Sequence, residues 1–263
     1  LLQKSLGGVG HLLHSGIEGG LIGFRGRPET AHLADELQGG GGYLVRSGWR
    51  FRAAENFDAA AHKRVDSHYA IPMSGKYAGG LVLTHGAGGN AQAPLLVEVD
   101  AAFTAAGFLV VRYDLPFRQK RPSGPPSPAG AAADRAGLHE QVMKMRGMIQ
   151  GPVFLGGHSY GGRQSTMLAA EQPGLVDGLV LFSYPLHPPG KAAQLRTAHF
   201  PALQTPAVFV HGTKDSFGTP EEMRSALALI PARSELILAE GAGHDLKKGR
   251  ADVIQAAFKT MKS

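Results

Sequence analysis

Three polar side chains have the types and order of an acyl-transfer centre. Ser159 lies in Gly157-His158-Ser159-Tyr160-Gly161, after the apolar run Val153-Phe154-Leu155 and before a helix-compatible stretch from Arg163 to Glu171. A serine between glycines at a strand-to-helix turn is the setting of a nucleophile elbow. Strained backbone there lifts Oγ clear of the sheet, and a Cβ at either glycine would collide with a neighbour. With 37 glycines in 263 residues the bare motif says little, so the flanking strand and helix carry the weight. Asp215 follows the run Val208-Phe209-Val210, and His244 follows Leu236-Ile237-Leu238 in Gly241-Ala242-Gly243-His244-Asp245. All three stand past the carboxyl ends of expected strands, where open α/β sheets gather their sites. In the roles this assigns, His244 takes the Ser159 proton and returns it to the leaving group, while Asp215 fixes the imidazole tautomer and supports the imidazolium. Asp177 precedes its strand and falls at the wrong end; His158 is tied beside the nucleophile; Asp245 is the reserve acid.

Backbone N–H groups of Tyr160 and of Ala87, in His85-Gly86-Ala87-Gly88-Gly89, are the expected oxyanion donors. That glycine-rich turn lacks the lysine and the Ser/Thr of a phosphate loop, so nucleotide binding is rejected. His85, Arg118, His187, Arg196 and Phe200 are the candidate substrate contacts. Arg118, Lys120 and Arg121 follow one strand and Lys191 and Arg196 another, which suggests a modest preference for anionic substrates.

The elements that must position these groups alternate. Residues 80–84, 108–111, 153–155, 178–182, 208–210 and 236–238 read as strands. Helices are expected over about 93–106, 131–149 and 250–262, and Thr219-Pro220-Glu221-Glu222 opens another with a capping box. Residues 114–130, dense in proline, are expected to be a surface loop without regular structure. The fold class is therefore α/β, a mostly parallel sheet covered by helices on both faces. Residues 1–70 read as an N-terminal extension, with short edge strands at 43–45 and 69–71 and with residues 1–40 dispensable; residues 71–263 form the main domain. The proline-stiffened segment 185–204 is a candidate small cap, with Phe200 and Leu203 walling an acyl pocket.

Composition narrows the classes. There is no cysteine, which excludes disulfides, cysteine-bound zinc and a cysteine nucleophile. His11, His14, His32, His62 and His68 lack ligand spacing, and neither a metal nor another cofactor is expected. A net charge of +6 is spread along the chain rather than blocked, so no nucleic-acid partner is expected. No apolar run reaches a membrane span and no signal peptide is read, which gives a cytoplasmic expectation.

From Gly79 onward the chain resembles the α/β-hydrolase superfamily and its dienelactone-hydrolase-related branch. The segments Leu83-Thr84-His85-Gly86-Ala87-Gly88, Arg112-Tyr113-Asp114-Leu115-Pro116-Phe117, the stretch 157–163 and Tyr184-Pro185-Leu186-His187-Pro188-Pro189-Gly190-Lys191 resemble the bacterial KANL/testis-expressed α/β-hydrolase-like family. The resemblance implies an α/β-hydrolase fold, on which the order serine, acid, histidine is the usual one. Dienelactone hydrolases carry a cysteine nucleophile where this chain has Ser159, which favours an ordinary serine esterase. The expected function is hydrolysis of a small carboxylic ester or thioester, with a small-molecule substrate as partner. An acyltransferase or peptidase would use the same acyl-enzyme. The alternative from another class is a non-catalytic binding or scaffold protein, a role that eukaryotic relatives in a chromatin complex bring into view.

Overall fold

The computed structural model describes residues 43–46, 49–52, 67–70 and 77–262. Nine strands form one sheet: β1 (Tyr43–Arg46), β2 (Trp49–Arg52), β3 (Ser67–Ala70), β4 (Gly79–Thr84), β5 (Phe108–Tyr113), β6 (Val153–His158), β7 (Gly178–Phe182), β8 (Ala207–Gly212) and β9 (Ser234–Ala239). Their spatial order is β1-β2-β3-β5-β4-β6-β7-β8-β9. The six strands from β5 to β9 run parallel. Antiparallel pairing occurs between β1 and β2 and between β3 and β5. Strand β2 was not expected. Strand β3 lies inside the sheet rather than at its edge, so pairing begins well before residue 71. The expectation for residues 1–40 and the histidines at 11, 14, 32 and 62 lie outside the described residues.

Among the described residues six helices follow in chain order: α1 (Pro94–Ala105), α2 (Pro116–Lys120), α3 (Ala131–Met148), α4 (Tyr160–Glu171), α5 (Pro220–Leu227) and α6 (Arg250–Lys262). Central strands bury both faces, as a period of two requires when helices cover each side. Val82 and Leu155 face the layer of α3 and α4. Leu81, Leu83 and Phe154 face the other layer, where Phe103 of α1 meets Phe258 of α6 edge-on at 5.1 Å. Residues 114–130 are not wholly irregular, because Pro116 begins α2 and Pro128–Gly130 make a 3-10 turn. A proline at the first helical position loses no hydrogen bond and arrives with a helical φ, so prolines here start elements instead of breaking them. At α5, Thr219 accepts from the Glu222 N–H and Glu222 accepts from the Thr219 N–H, completing the capping box.

Segment 185–204 holds a single 3-10 turn, Phe200–Ala202. Phe200 and Leu203 are fully buried, and the Phe200 ring packs on Tyr184 and Phe209. They belong to the core and do not wall a pocket, which corrects the reading of Phe200 as a substrate contact. Among the described residues no helix is long and apolar enough to cross a membrane.

Candidate active site

The elbow follows from crowding. Strand β6 delivers Ser159 at φ 51°, ψ −115°, and α4 begins at the next residue. A Cβ on Gly157 would sit 2.7 Å from the backbone of Gly161 and Gly162, and one on Gly161 would sit 2.5 Å from the His85 carbonyl oxygen. Only bare backbone lets β6, α4 and the turn after β4 meet this closely. The Ser159 N–H donates to the Phe182 carbonyl at 2.9 Å, which pins the elbow to β7. Ser159 is 9% exposed, less open than the motif suggested.

The turns after β8 and β9 bring the other two groups to Ser159. His244 Nε2 lies 2.8 Å from Ser159 Oγ, and His244 Nδ1 lies 2.7 Å from Asp215 Oδ2. A carboxylate only accepts, so Nδ1 carries the ring hydrogen and Nε2 presents its lone pair to the hydroxyl. Asp215 Oδ1 is held by the Phe217 N–H at 2.9 Å. The acid turn and the histidine loop are knitted together: the Lys214 N–H donates to Ala242 O, and the Gly241 N–H donates to Thr213 Oγ1. Two rings flank the imidazole, that of Phe217, not singled out in the sequence, and that of His158. Phe217 stacks on it with ring centres 4.2 Å apart, a contact foreshadowed only by its place two residues after the acid. His158 packs from another side at 5.2 Å and places Nε2 2.9 Å from the His244 carbonyl. Burial lowers the pKa of His158 to about 4, so the ring is neutral and its Nε2–H donates to that carbonyl.

The turn after β4, which carries Ala87, is held from behind. His85 is fully buried, which lowers its pKa. Its Nε2 accepts the Leu115 N–H at 3.1 Å and its Nδ1–H donates to the Gly86 carbonyl at 2.8 Å. Although Asp114 Oδ1 is 3.3 Å from Nε2, that nitrogen is already an acceptor, so the pair is not ionic. The Gly86 carbonyl also accepts the Gly89 N–H at 3.1 Å. In a trans peptide C=O and N–H point opposite ways, so fixing the Gly86 oxygen fixes the direction of the Ala87 N–H. The Tyr160 N–H is among those a helix leaves unpaired at its start, where the dipole is positive. Tyr160 Oη donates to the fully buried Asp134 at 2.8 Å, and the other Asp134 oxygen accepts the Phe117 N–H at 3.0 Å.

Of the expected substrate contacts, three have other work. Arg118 is 6% exposed and donates to four carbonyls, those of Gly89, Ala87, Arg121 and Gly124. It braces the turn after β4; its place after a strand was legible in the sequence, its burial was not. His85 does the same from the opposite side. His187 joins Pro188 O at 2.9 Å and Glu222 at 3.2 Å, tying segment 185–204 to α5. Arg196 is half-buried against Tyr184, whose hydroxyl donates to the Arg196 carbonyl at 2.6 Å.

A family profile described as an alpha/beta hydrolase domain matches residues 78–260. This chain belongs to the alpha/beta hydrolase domain family. Solved structures share the family's fold at low identity. An alpha-beta serine hydrolase homologue from Coxiella burnetii superposes with a TM-score of 0.61 at 17% identity, covering 74% of this chain and 90% of that one. Est1E from Butyrivibrio proteoclasticus gives 0.62 at 14% identity, covering 85% and 98%. A dienelactone hydrolase from Anabaena variabilis gives 0.57 at 17%, covering 74% and 88%. In this hydrolase-family domain Ser159, Asp215 and His244 meet where β6, β8 and β9 end.

Proposed function

We propose that this chain is a serine hydrolase that cleaves a carboxylic ester or thioester through an acyl-serine. The observation that carries the reading is the continuous hydrogen-bonded chain from Ser159 Oγ through His244 to Asp215, at 2.8 and 2.7 Å. Ser159 Oγ attacks the acyl carbon while its proton passes to His244 Nε2. Asp215 holds the ring and stabilises the imidazolium. Negative charge on the carbonyl oxygen meets the N–H groups of Ala87 and Tyr160, each worth roughly 3–4 kcal/mol when aimed at the developing oxyanion. Collapse returns the proton to the leaving oxygen or sulfur. Water, deprotonated by His244, then attacks the acyl-serine and releases the acid. The esterase, lipase and hydrolase character of the fold's known members supports the reading.

A fluorophosphonate probe and a panel of 4-nitrophenyl esters of graded acyl length test it. The wild type takes the probe and cleaves activated esters. Ser159→Ala loses the probe, and both Ser159→Ala and His244→Ala lose activity by several orders of magnitude, because such residues act as a unit; about 10³-fold over water survives. A folded wild type that takes no probe and cleaves no ester would replace this reading with the binding-protein one.

A further inference from the structure

Beside Ser159 lies a group of cations that the acyl transfer above does not use. Arg163 is one turn into α4, and its N–H donates to the Ser159 carbonyl at 2.9 Å. Side chains on a helix lean toward its N-terminus, the end of α4 at which Ser159 stands. The chain leaving β7 supplies the opposite wall. Tyr184 lies two residues past Phe182, the residue that receives the Ser159 N–H. Its hydroxyl donates to Arg196 O at 2.6 Å, and the Arg196 N–H donates to Leu186 O at 2.8 Å, so Arg196 is folded back against Tyr184. The Arg163 charge acts on Tyr184, which places the guanidinium on the Tyr184 side of α4. A third side is closed by His199, whose Nε2 is 2.8 Å from Thr166 Oγ1, one turn beyond Arg163.

These cations have no counter-charge. Among the described residues neither Arg163 nor Arg196 pairs with a carboxylate. The next arginine, Arg135 on α3, is engaged by Glu171 at 2.9 Å and Gln164 at 3.0 Å. Arg163 Nε is buried and donates to nothing, and Arg196 offers its side chain only a 3.3 Å contact to Pro185 O. Burial and then the Arg163 charge both disfavour the Arg196 cation. Burial, followed by Arg163 and Arg135, lowers the pKa of His199 to about 4, so it adds no charge and serves as a neutral wall. Two guanidinium groups of which one disfavours the other's charge, with a buried donor left over, are costly in isolation and favourable around an oxyanion, which their planar forks fit.

We propose that Arg163 and Arg196 form an anion-binding subsite of the Ser159 centre, so that the substrate carries a carboxylate on the part lying between α4 and the segment after β7. This rests on the hydrolase reading and narrows its substrate class. It also moves the anionic preference from Arg118, which is engaged by carbonyls, to an arginine inside the elbow motif.

The test compares matched esters. One arm sets mono-4-nitrophenyl adipate against 4-nitrophenyl hexanoate, placing the charge on the acyl side; the other sets 4-acetoxybenzoate against phenyl acetate, placing it on the leaving group. In at least one arm wild type favours the carboxylated ester in kcat/KM by about ten-fold or more, the worth of a charge-assisted bond. Arg163→Gln and Arg196→Gln each lower that ratio to near one, with unchanged circular dichroism, and Arg163→Lys keeps part of it. Ratios near or below one in both arms of the wild type overturn the subsite while leaving the hydrolase reading intact. So do ratios that both glutamine variants preserve. If no ester is turned over, the hydrolase reading falls, and calorimetric titration of adipate judges the subsite alone. Binding that the glutamine variants lose supports it, and no binding by wild type overturns it.

Discussion

Ser159→Gly and Ser159→Ala separate two effects that the elbow combines. At φ 51° and ψ −115° the backbone lies outside the regions open to L-residues but within the mirror-β region that glycine enters freely. Such conformations cost about 1–3 kcal/mol. Both variants lose Oγ and its hydrogen bond to His244, but alanine keeps Cβ and the strain. Their difference therefore isolates the strain, less the extra freedom glycine gives the unfolded chain, about 0.5–1 kcal/mol. The glycine variant comes out about 0.5–2 kcal/mol more stable than the alanine variant. At roughly 2–4 °C per kcal/mol for a domain of this size, its Tm is higher by about 1–8 °C. Urea and thermal unfolding followed by circular dichroism measure this, with both variants inactive. An alanine variant equal to or more stable than the glycine variant would refute the claim that the elbow stores backbone strain.

Two further outcomes follow from the buried polar groups. His158 and His199 stay neutral down to about pH 4 when folded, against about 6.5 when unfolded, so between these values the unfolded chain binds the additional protons. Their contribution is full above pH 6.5 and is lost as pH falls toward 4, at most about 3 kcal/mol each and less for partial exposure. Unfolding free energies at pH 7.5 and 4.5 check it: His199→Gln flattens the drop, and a wild type equally stable at both values contradicts it. Asp134→Ala leaves the Tyr160 hydroxyl and the Phe117 N–H without their acceptor and destabilises by about 2–4 kcal/mol, read from urea midpoints; a loss below about 1 kcal/mol would show that Asp134 does not anchor the elbow tyrosine.

Much of the parallel sheet was legible because short hydrophobic runs after glycine, such as Leu81-Val82-Leu83 and Leu179-Val180-Leu181, read as strands buried on both faces. Ser159, Asp215 and His244 were legible for a related reason: each follows such a run, and the carboxyl ends of parallel strands converge. Side-chain direction was not legible. Arg118 and His85 stand at the right end of the sheet yet turn inward to the carbonyls of the turn after β4, which composition cannot reveal. Arg163 was read only as the first residue of a helix. Its spacing of four from Ser159 was visible, but the orphaned Nε needed the packed structure. Phe200 looked like a pocket wall because its burial depends on contacts with Tyr184, past the end of β7, and Phe209, inside β8.

The hydrogen bonds joining the three polar groups span 85 residues from Ser159 to His244 and 29 from Asp215 to His244. Contacts that distant in sequence must overcome a large loop-closure entropy, and chains rich in them fold slowly. Asp215 and His244 ride on β8 and β9, which pair with each other across one outer flank of the sheet. An intermediate built from β4, β5, β6 and α4 alone would already hold Ser159 on its elbow and yet lack the partners His244 and Asp215. On the proposed mechanism reactivity arrives only with the C-terminal third of the chain, so that a nascent or partly opened molecule would carry a silent serine.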